Sequence, residues 1–232
     1  KMKVLEDCKV RIKEIKKVAD FTKSFVLEKP KGFEYEPGQH GYIELSKDNG
    51  KPFSFVSSPY EKTVEFATII RDQSKWKQEL NRKKIGDELI LSGPYGLFKY
   101  ENSETDIGFI AGGIGITPFM GILRYLNFKK LSTKVILLYS NKSENRSAFK
   151  NELDLLAEKN PNLKIIYTMT EQEDFDGEKG RIDEEFIRNH VKNPEKKIWY
   201  VAGPPIMVKE MNNLLKKEFL VKNIKLDSFS GY

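Results

Sequence analysis

Up to about residue 100 the apolar positions fall in short runs of strand length, at 9–15, 24–28, 41–45, 52–57, 64–71 and 88–92. They alternate with polar positions or are rich in Val, Ile and Phe, and Pro37-Gly38, Asp48-Asn49-Gly50 and Gly93-Pro94 punctuate them. This pattern predicts a small antiparallel barrel or sandwich of six strands. Helical spacing appears once in this half, at 75–83, between the fifth and sixth runs.

The polar stretch 101–106 marks a change of rhythm. Apolar runs at 107–111, 135–139, 164–169 and 198–202 then alternate with amphipathic segments at 118–128, 147–159, 183–190 and 205–220. Strand and helix in alternation predict a Rossmann-like parallel sheet with helices on both faces. Two domains follow, 1–102 and 103–232. The acidic stretch 171–178 reads as a solvated turn, and the chain shows neither an internal repeat nor a low-complexity segment.

Composition narrows the classes of function. No apolar run approaches the roughly 18 residues that a membrane-crossing helix needs, and the first ten residues lack the apolar core of a signal peptide. A cytoplasmic protein with no membrane segment in this chain, and a monomer, is the expectation. One cysteine, Cys8, cannot form an internal disulfide, a thiolate zinc site or a protein-bound iron–sulfur cluster, and two histidines far apart in sequence make a metal site a poor reading. The net charge of +6 comes from interleaved Lys, Arg, Asp and Glu rather than from a basic stripe among stacking aromatics, which argues against nucleic acid. A basic face for an acidic redox partner fits the same balance.

The densest chemistry lies at 111–118, where an apolar strand runs into Gly112-Gly113-Ile114-Gly115-Ile116-Thr117-Pro118 and then into a helix. Glycines permit a tight turn and a close backbone approach to a pyrophosphate, while the helix start offers free N–H groups and a positive dipole end. Pro118 suits the first helical turn, where an N–H is not needed. On spacing alone, a plain strand-to-helix turn accounts for these glycines equally well. They do not match the dinucleotide fingerprint G-x-G-x-x-G, since Thr117-Pro118 stands where its third glycine would fall.

That Thr-Pro ending resembles the G-G-x-G-x-[ST]-P turn of the ferredoxin–NADP reductase superfamily, and three further motifs match in the same order across nearly the whole chain. Lys51-Pro52-Phe53-Ser54 is similar to the family's flavin motif R-x-[YF]-[ST]. Ala202-Gly203-Pro204-Pro205-Ile206-Met207 resembles C-G-P-P-x-M, and the ending Asp227-Ser228-Phe229-Ser230-Gly231-Tyr232 resembles E-x-F-x-G-Y. The resemblance implies a barrel that binds FAD, with FMN less favoured, and an α/β domain that binds NADPH or NADH as co-substrate.

Carried over residue by residue, it assigns flavin contacts to Lys51, Pro52, Phe53, Ser54, Ile69, Ile70, Arg71, Ser74, Lys75, Trp76, Lys77, Phe229 and Tyr232. Nicotinamide-nucleotide contacts fall on Gly112, Gly113, Gly115, Thr117, Pro118, Ser140, Asn141, Lys142, Arg146, Ala202, Gly203, Pro204, Pro205 and Met207. Ser54, Thr117 and Asp227 are the expected catalytic set. The implied reaction is hydride transfer from NAD(P)H to flavin N5, then electron release to an acceptor such as ferredoxin, flavodoxin or an oxygenase component.

The departures from the pattern are specific. Lys51 replaces an Arg and loses its two-pronged phosphate contact while keeping the charge. Ser74-Lys75-Trp76-Lys77 stands in place of G-x-x-S, so Arg71 with Lys75 or Lys77 would supply charge where a hydroxyl is usual. Trp76 has two places open to it, over an adenine or in the core. Ala202 replaces a cysteine, and Asp227 matches a glutamate only by class. Pro37-Gly38-Gln39-His40 with the K-P-F-S run also resembles the flavin domain of ferric reductases. Two rival functions remain open: reduction of free flavin or ferric chelates as substrates, and a nucleotide-binding or electron-transfer subunit active only in a complex.

Overall fold

In a computed structural model, residues 3–229 are described. They form two compact units, one comprising 3–100 with Thr117–Phe128 and the other Glu101–Ile116 with 129–229.

The first unit contains strands β1 (Leu5–Ala19), β2 (Thr22–Glu28), β3 (His40–Glu44), β4 (Gly50–Ser54), β5 (Thr63–Ile69) and β6 (Glu88–Tyr95). All pairings are antiparallel, in the order β4-β3-β6-β1-β2-β5. The 15-residue β1 serves two neighbours, β6 along its first part and β2 along its second, with register shifts that let it bend. Just past β4, the Val56 N–H donates to the Glu65 carbonyl of β5 at 2.8 Å, so the two edges of the sheet meet. The alternating positions point Val10, Ile12, Phe25, Ile43, Phe55, Phe66 and Leu91 into one core. Each such side chain contributes about 1.5–3 kcal/mol of hydrophobic stabilisation.

Helix α1 (Lys75–Arg82) starts at Ser74, whose hydroxyl oxygen accepts from the Lys77 N–H at 3.3 Å, and it buries Trp76, Lys77 and Leu80. Helix α2 (Thr117–Lys129) follows the glycine turn in sequence, yet its residues up to Phe128 group with the barrel. Phe98 packs on Phe119 and Tyr100 on Tyr125, while Tyr60 stacks on both Tyr125 and Phe128. A Cβ on Gly121 would stand 2.6 Å from the Phe55 carbonyl oxygen, so only glycine lets α2 approach that closely.

The second unit is built on an all-parallel sheet of β7 (Asp106–Gly112), β8 (Lys134–Asn141), β9 (Leu163–Met169), β10 (Glu178–Lys179), β11 (Ile198–Gly203) and β12 (Ile224–Ser228), ordered β10-β9-β8-β7-β11-β12. With it go α3 (Lys150–Lys159), α4 (Glu184–His190) and α5 (Pro205–Lys217). Helix α4 begins at Asp183, whose carboxylate accepts the Phe186 N–H at 2.8 Å. One core joins Ile110, Leu138, Trp199 and Val201 of the sheet to Phe186 and Ile187 of α4 and to Val208, Met211 and Leu215 of α5.

Strands β10 and β12 are absent from the sequence-based assignment. The first has two residues, and the second owes its place to backbone pairing with β11 from Trp199↔Ile224 to Gly203↔Ser228. A buried group ties β12 down. Lys225 donates to Glu104 at 2.6 Å and to the Tyr200 hydroxyl at 2.9 Å, and Tyr200 in turn donates to Glu104. No helix among the described residues is long and apolar enough to cross a membrane.

Candidate functional site

The strand order fixes where a ligand belongs in the second unit. From β7 the chain proceeds outward through β8, β9 and β10, then returns to the other side of β7 as β11. At such a reversal the loops leaving neighbouring strand ends diverge and open a crevice. The loops here are the glycine turn after β7 and Gly203-Pro204-Pro205 after β11.

The two turns interlock, and the glycines divide the work. A Cβ on Gly115 would lie 2.6 Å from the carbonyl carbon of Ala202, and one on Gly112 would collide with Met207. Gly203, at φ +154°, sits with its Cβ direction 3.2 Å from the Gly112 backbone. These positions need glycine so that the turns can touch. Gly113 differs: its φ is +54° and nothing lies within 4 Å of where a Cβ would point. It is the open face of the turn. The Tyr139 hydroxyl donates to the Gly113 carbonyl at 3.1 Å and holds the turn from below, and burial raises that phenol's pKa, keeping it a donor.

Beside the turns lies a cleft of about 300 Å³ lined by Ser140, Thr170, Arg181, Pro204, Ile206 and Glu210, among others. Of Ser140, Asn141, Lys142 and Arg146, expected at the nicotinamide nucleotide, Ser140 faces this cleft. Asn141 is buried at the end of β8, Lys142 is exposed and paired with Glu171 at 2.8 Å, and Arg146 closes a short 3-10 turn. The cation in the cleft is Arg181, which the sequence-based set lacks. It follows the acidic stretch 171–178, where no periodic signal marks it.

In the barrel unit, a positive cluster gathers at the start of α1. Lys77 is 4% exposed, and burial together with the neighbouring charges of Arg71 and Lys51 lowers its pKa to about 8. Three cations drawn from β4, the end of β5 and α1 make this a place for an anion. Lys75 is exposed, while Ser74, Arg71, Ile69 and Ile70 are half-buried.

Ser54 is 3% exposed at the end of β4, opposite His40 in register. Burial holds the His40 imidazole below its ordinary pKa. Thr117 opens α2 and is also buried, as is Pro118 after it. Of the two places open to Trp76, the structure takes the core: its ring stacks on Phe53 at 5.4 Å and its indole N–H donates to the Asn49 carbonyl at 2.9 Å. Phe53 lies between Trp76 and Phe66 inside the barrel, while Lys51 and Pro52 next to it are exposed.

Ala202 and Gly203 are buried at the end of β11, and Pro204 and Pro205 are exposed where α5 begins. Asp227 pairs in register with Ala202, and the Phe229 N–H donates to the Gly203 carbonyl at 3.0 Å. Tyr232, with Ser230 and Gly231, lies outside the described residues.

An antiparallel six-stranded barrel followed by a parallel α/β sheet, with glycine turns at the reversal of strand order, defines a two-domain flavin- and nicotinamide-binding fold. Residues 8–99 match the model of an FAD-binding domain, and residues 109–213 that of an oxidoreductase NAD-binding domain. NADH-cytochrome b5 reductase 2 of Mycosarcoma maydis is 30% identical over 221 residues, which is 87% of this chain and 63% of that protein. The chain spans about six-tenths of the length of the curated relatives it matches. A ferredoxin NADP+ reductase from Neisseria gonorrhoeae with bound FAD and NADP superposes with a TM-score of 0.83 at 20% identity, covering 97% of this chain and 99% of that one. The CS-b5R domains of human Ncb5or superpose at 0.81 with 26% identity, covering 96% of this chain and 69% of that one. The chain belongs to the ferredoxin–NADP reductase superfamily, with FAD and NAD(P)H as its cofactors.

Proposed function

We propose that this protein is an NAD(P)H-dependent flavoprotein reductase that passes electrons to a one-electron carrier protein such as ferredoxin, flavodoxin, an oxygenase component or a b5-type cytochrome. The observation that carries the reading is the pairing of two unlike nucleotide sites in one chain, the cationic cluster of Lys51, Arg71 and Lys77 and the interlocked glycine turns with Gly113 open. The donor sets fit the groups: three cations suit a flavin pyrophosphate, and an unobstructed backbone suits a dinucleotide.

Bound flavin supplies the chemistry of accepting a hydride from NAD(P)H at N5 and releasing electrons singly. The chain's own residues bind and orient. Lys51, Arg71 and Lys77 hold the flavin phosphates, and the Ser54 hydroxyl donates a hydrogen bond at the N5 position. Gly113 admits the nicotinamide nucleotide's pyrophosphate to the backbone, and Thr117 aligns the nicotinamide. Asp227 and Phe229, held beside Ala202 and Gly203 by β12, stand at the carboxyl end of β11. Relatives named as NADH-cytochrome b5 reductases support a protein acceptor.

A second reading, reduction of free flavin as a substrate, is favoured by one observation: Phe53 and Trp76 stack on each other in the core and leave little aromatic surface to retain a flavin ring. The visible spectrum of the isolated protein separates the two. About one flavin per chain supports the relay, and a colourless protein that reduces added flavin supports the alternative. Ser54→Ala tests the mechanism: stopped-flow reduction by NAD(P)H slows about tenfold or more with flavin still bound. An unchanged rate removes Ser54 from its role.

A further inference from the structure

Helix α2 presents Thr117, Gly121, Arg124 and Phe128 along one stripe, at spacings of four, three and four residues. Gly121, Arg124 and Phe128 all meet the barrel. Phe128 stacks on Tyr60 at 4.9 Å, Gly121 faces the Phe55 carbonyl, and the Arg124 Nη1 donates to Glu65 Oε2 at 2.7 Å and lies 3.6 Å from Glu61 Oε2.

Glu65 is 2% exposed. Lys16 at 2.8 Å and Ser24 at 2.6 Å take its other oxygen. Burial alone would push its pKa up, but Arg124, Lys16 and Ser24 together hold it below the ordinary carboxylate value. Its backbone is also engaged: the Glu65 N–H donates to Ser57 Oγ at 2.9 Å and its carbonyl accepts from Val56. Tyr35 clamps the same segment through its hydroxyl, 2.8 Å from Ser57 Oγ, 3.1 Å from the Ser57 carbonyl and 3.0 Å from that of Ser58. This segment continues directly from Ser54.

We infer that Arg124 and Glu65 are positioning residues for the hydride-transfer step. Their ion pair, with the close approach at Gly121, locks α2 against residues 55–57, so that Thr117 and Ser54 keep a fixed separation within one compact unit. The inference rests on the reading of the protein as an NAD(P)H–flavin reductase. Burial gives the pair leverage, because removing Arg124 strips Glu65 Oε2 of its guanidinium partner in the core while Lys16 still holds Oε1. Thr117 lies about 10 Å up the helix from Arg124 at 1.5 Å per residue, so a small tilt of α2 moves its hydroxyl by a catalytically costly amount.

The test compares Arg124→Met, Arg124→Lys and Gly121→Ala with the unaltered chain. Two readouts are used: hydrogen exchange over 54–58 and 117–128 in the flavin-free protein, and the limiting rate of flavin reduction at saturating NAD(P)H. Arg124→Met is expected to speed exchange in both segments and to slow reduction about tenfold to a hundredfold with flavin still bound. Arg124→Lys restores most of the rate. Gly121→Ala, which alters no charge, shifts both readouts in the same direction by less and serves if Arg124→Met does not fold. A reduction rate within twofold of the unaltered chain, alongside faster exchange, overturns the inference and leaves a purely structural ion pair. If the unaltered chain shows no flavin reduction, the functional reading fails instead.

Discussion

The two proposed nucleotide sites are made of different materials. The barrel site is a side-chain site: Lys51, Arg71 and Lys77 bring charge together at the start of α1, and burial, with those neighbouring charges, lowers the pKa of Lys77. The site on the parallel sheet is a backbone site, in which Gly112, Gly115 and Gly203 let two turns interlock while Gly113 stays open. A charge-built site responds to pH and salt, whereas a glycine-built site responds to a single methyl group.

The largest effect is expected on the backbone site. Gly115→Ala drives a methyl group into the Ala202 carbonyl, where no flexible side chain can give way. Destabilisation of about 3 kcal/mol is expected from such overpacking, with loss of NAD(P)H binding. A urea melt with a nucleotide titration checks both, and a normal midpoint would show that the turns do not interlock.

On the charge-built side, Arg71→Ala should weaken flavin binding about tenfold to a hundredfold, as expected for a lost hydrogen bond to a charged group. The loss should shrink in high salt. Fluorescence titration at two ionic strengths gives both numbers, and a salt-independent loss would move Arg71 out of the anion site.

Lys77 gives the comparison its pH signature. Its folded value of about 8 lies below the ordinary 10.5, so between those values the flavin-free folded chain holds fewer protons there than the unfolded one. This group's penalty is complete below about pH 8 and fades as pH rises towards 10.5, so it adds stability with rising pH across that window. An anion bound at Lys77 raises its pKa again. Flavin binding near pH 8 should therefore take up protons and weaken as pH climbs, and Lys77→Met should flatten that dependence. Calorimetry in buffers of different ionisation heat measures the uptake, and none being found would separate Lys77 from the flavin.

The smallest effect belongs to Gly113→Ala. The added methyl group meets open space but must adopt φ +54°, at a cost of about 1–2 kcal/mol. The apparent KM for NAD(P)H should rise while flavin affinity stays put. An equal change in both would blur the distinction between the sites.

How much of this was legible beforehand follows the range of the interactions. The barrel strands and the β7, β8, β9 and β11 runs show in local periodicity because each buries one or both faces. Helix α3 is shorter at its start than its periodic segment, since a 3-10 turn at Glu144–Arg146 and a left-handed Phe149 precede it. Pairings between distant residues leave no local trace. Glu65 and Arg124 lie 59 residues apart, Glu104 and Lys225 lie 121 apart, and each looks like one more charge in a well-charged chain. The glycines were visible as a turn, but only the packing separates those needed for contact between turns from the one facing open space. Trp76 and Phe53 carried no mark of the stack that draws both into the core.

The grouping of α2 with the barrel limits how this protein can be taken apart. A segment ending at Tyr100 looks like a self-contained module by its strands, yet it lacks the helix that covers Phe98 and Tyr100 and leaves Glu65 buried without its guanidinium partner. Swapping or excising the barrel as a cassette therefore requires carrying α2 along, even though β7 and the glycine turn intervene in the chain. A cut at the polar stretch 101–106 would sever these contacts.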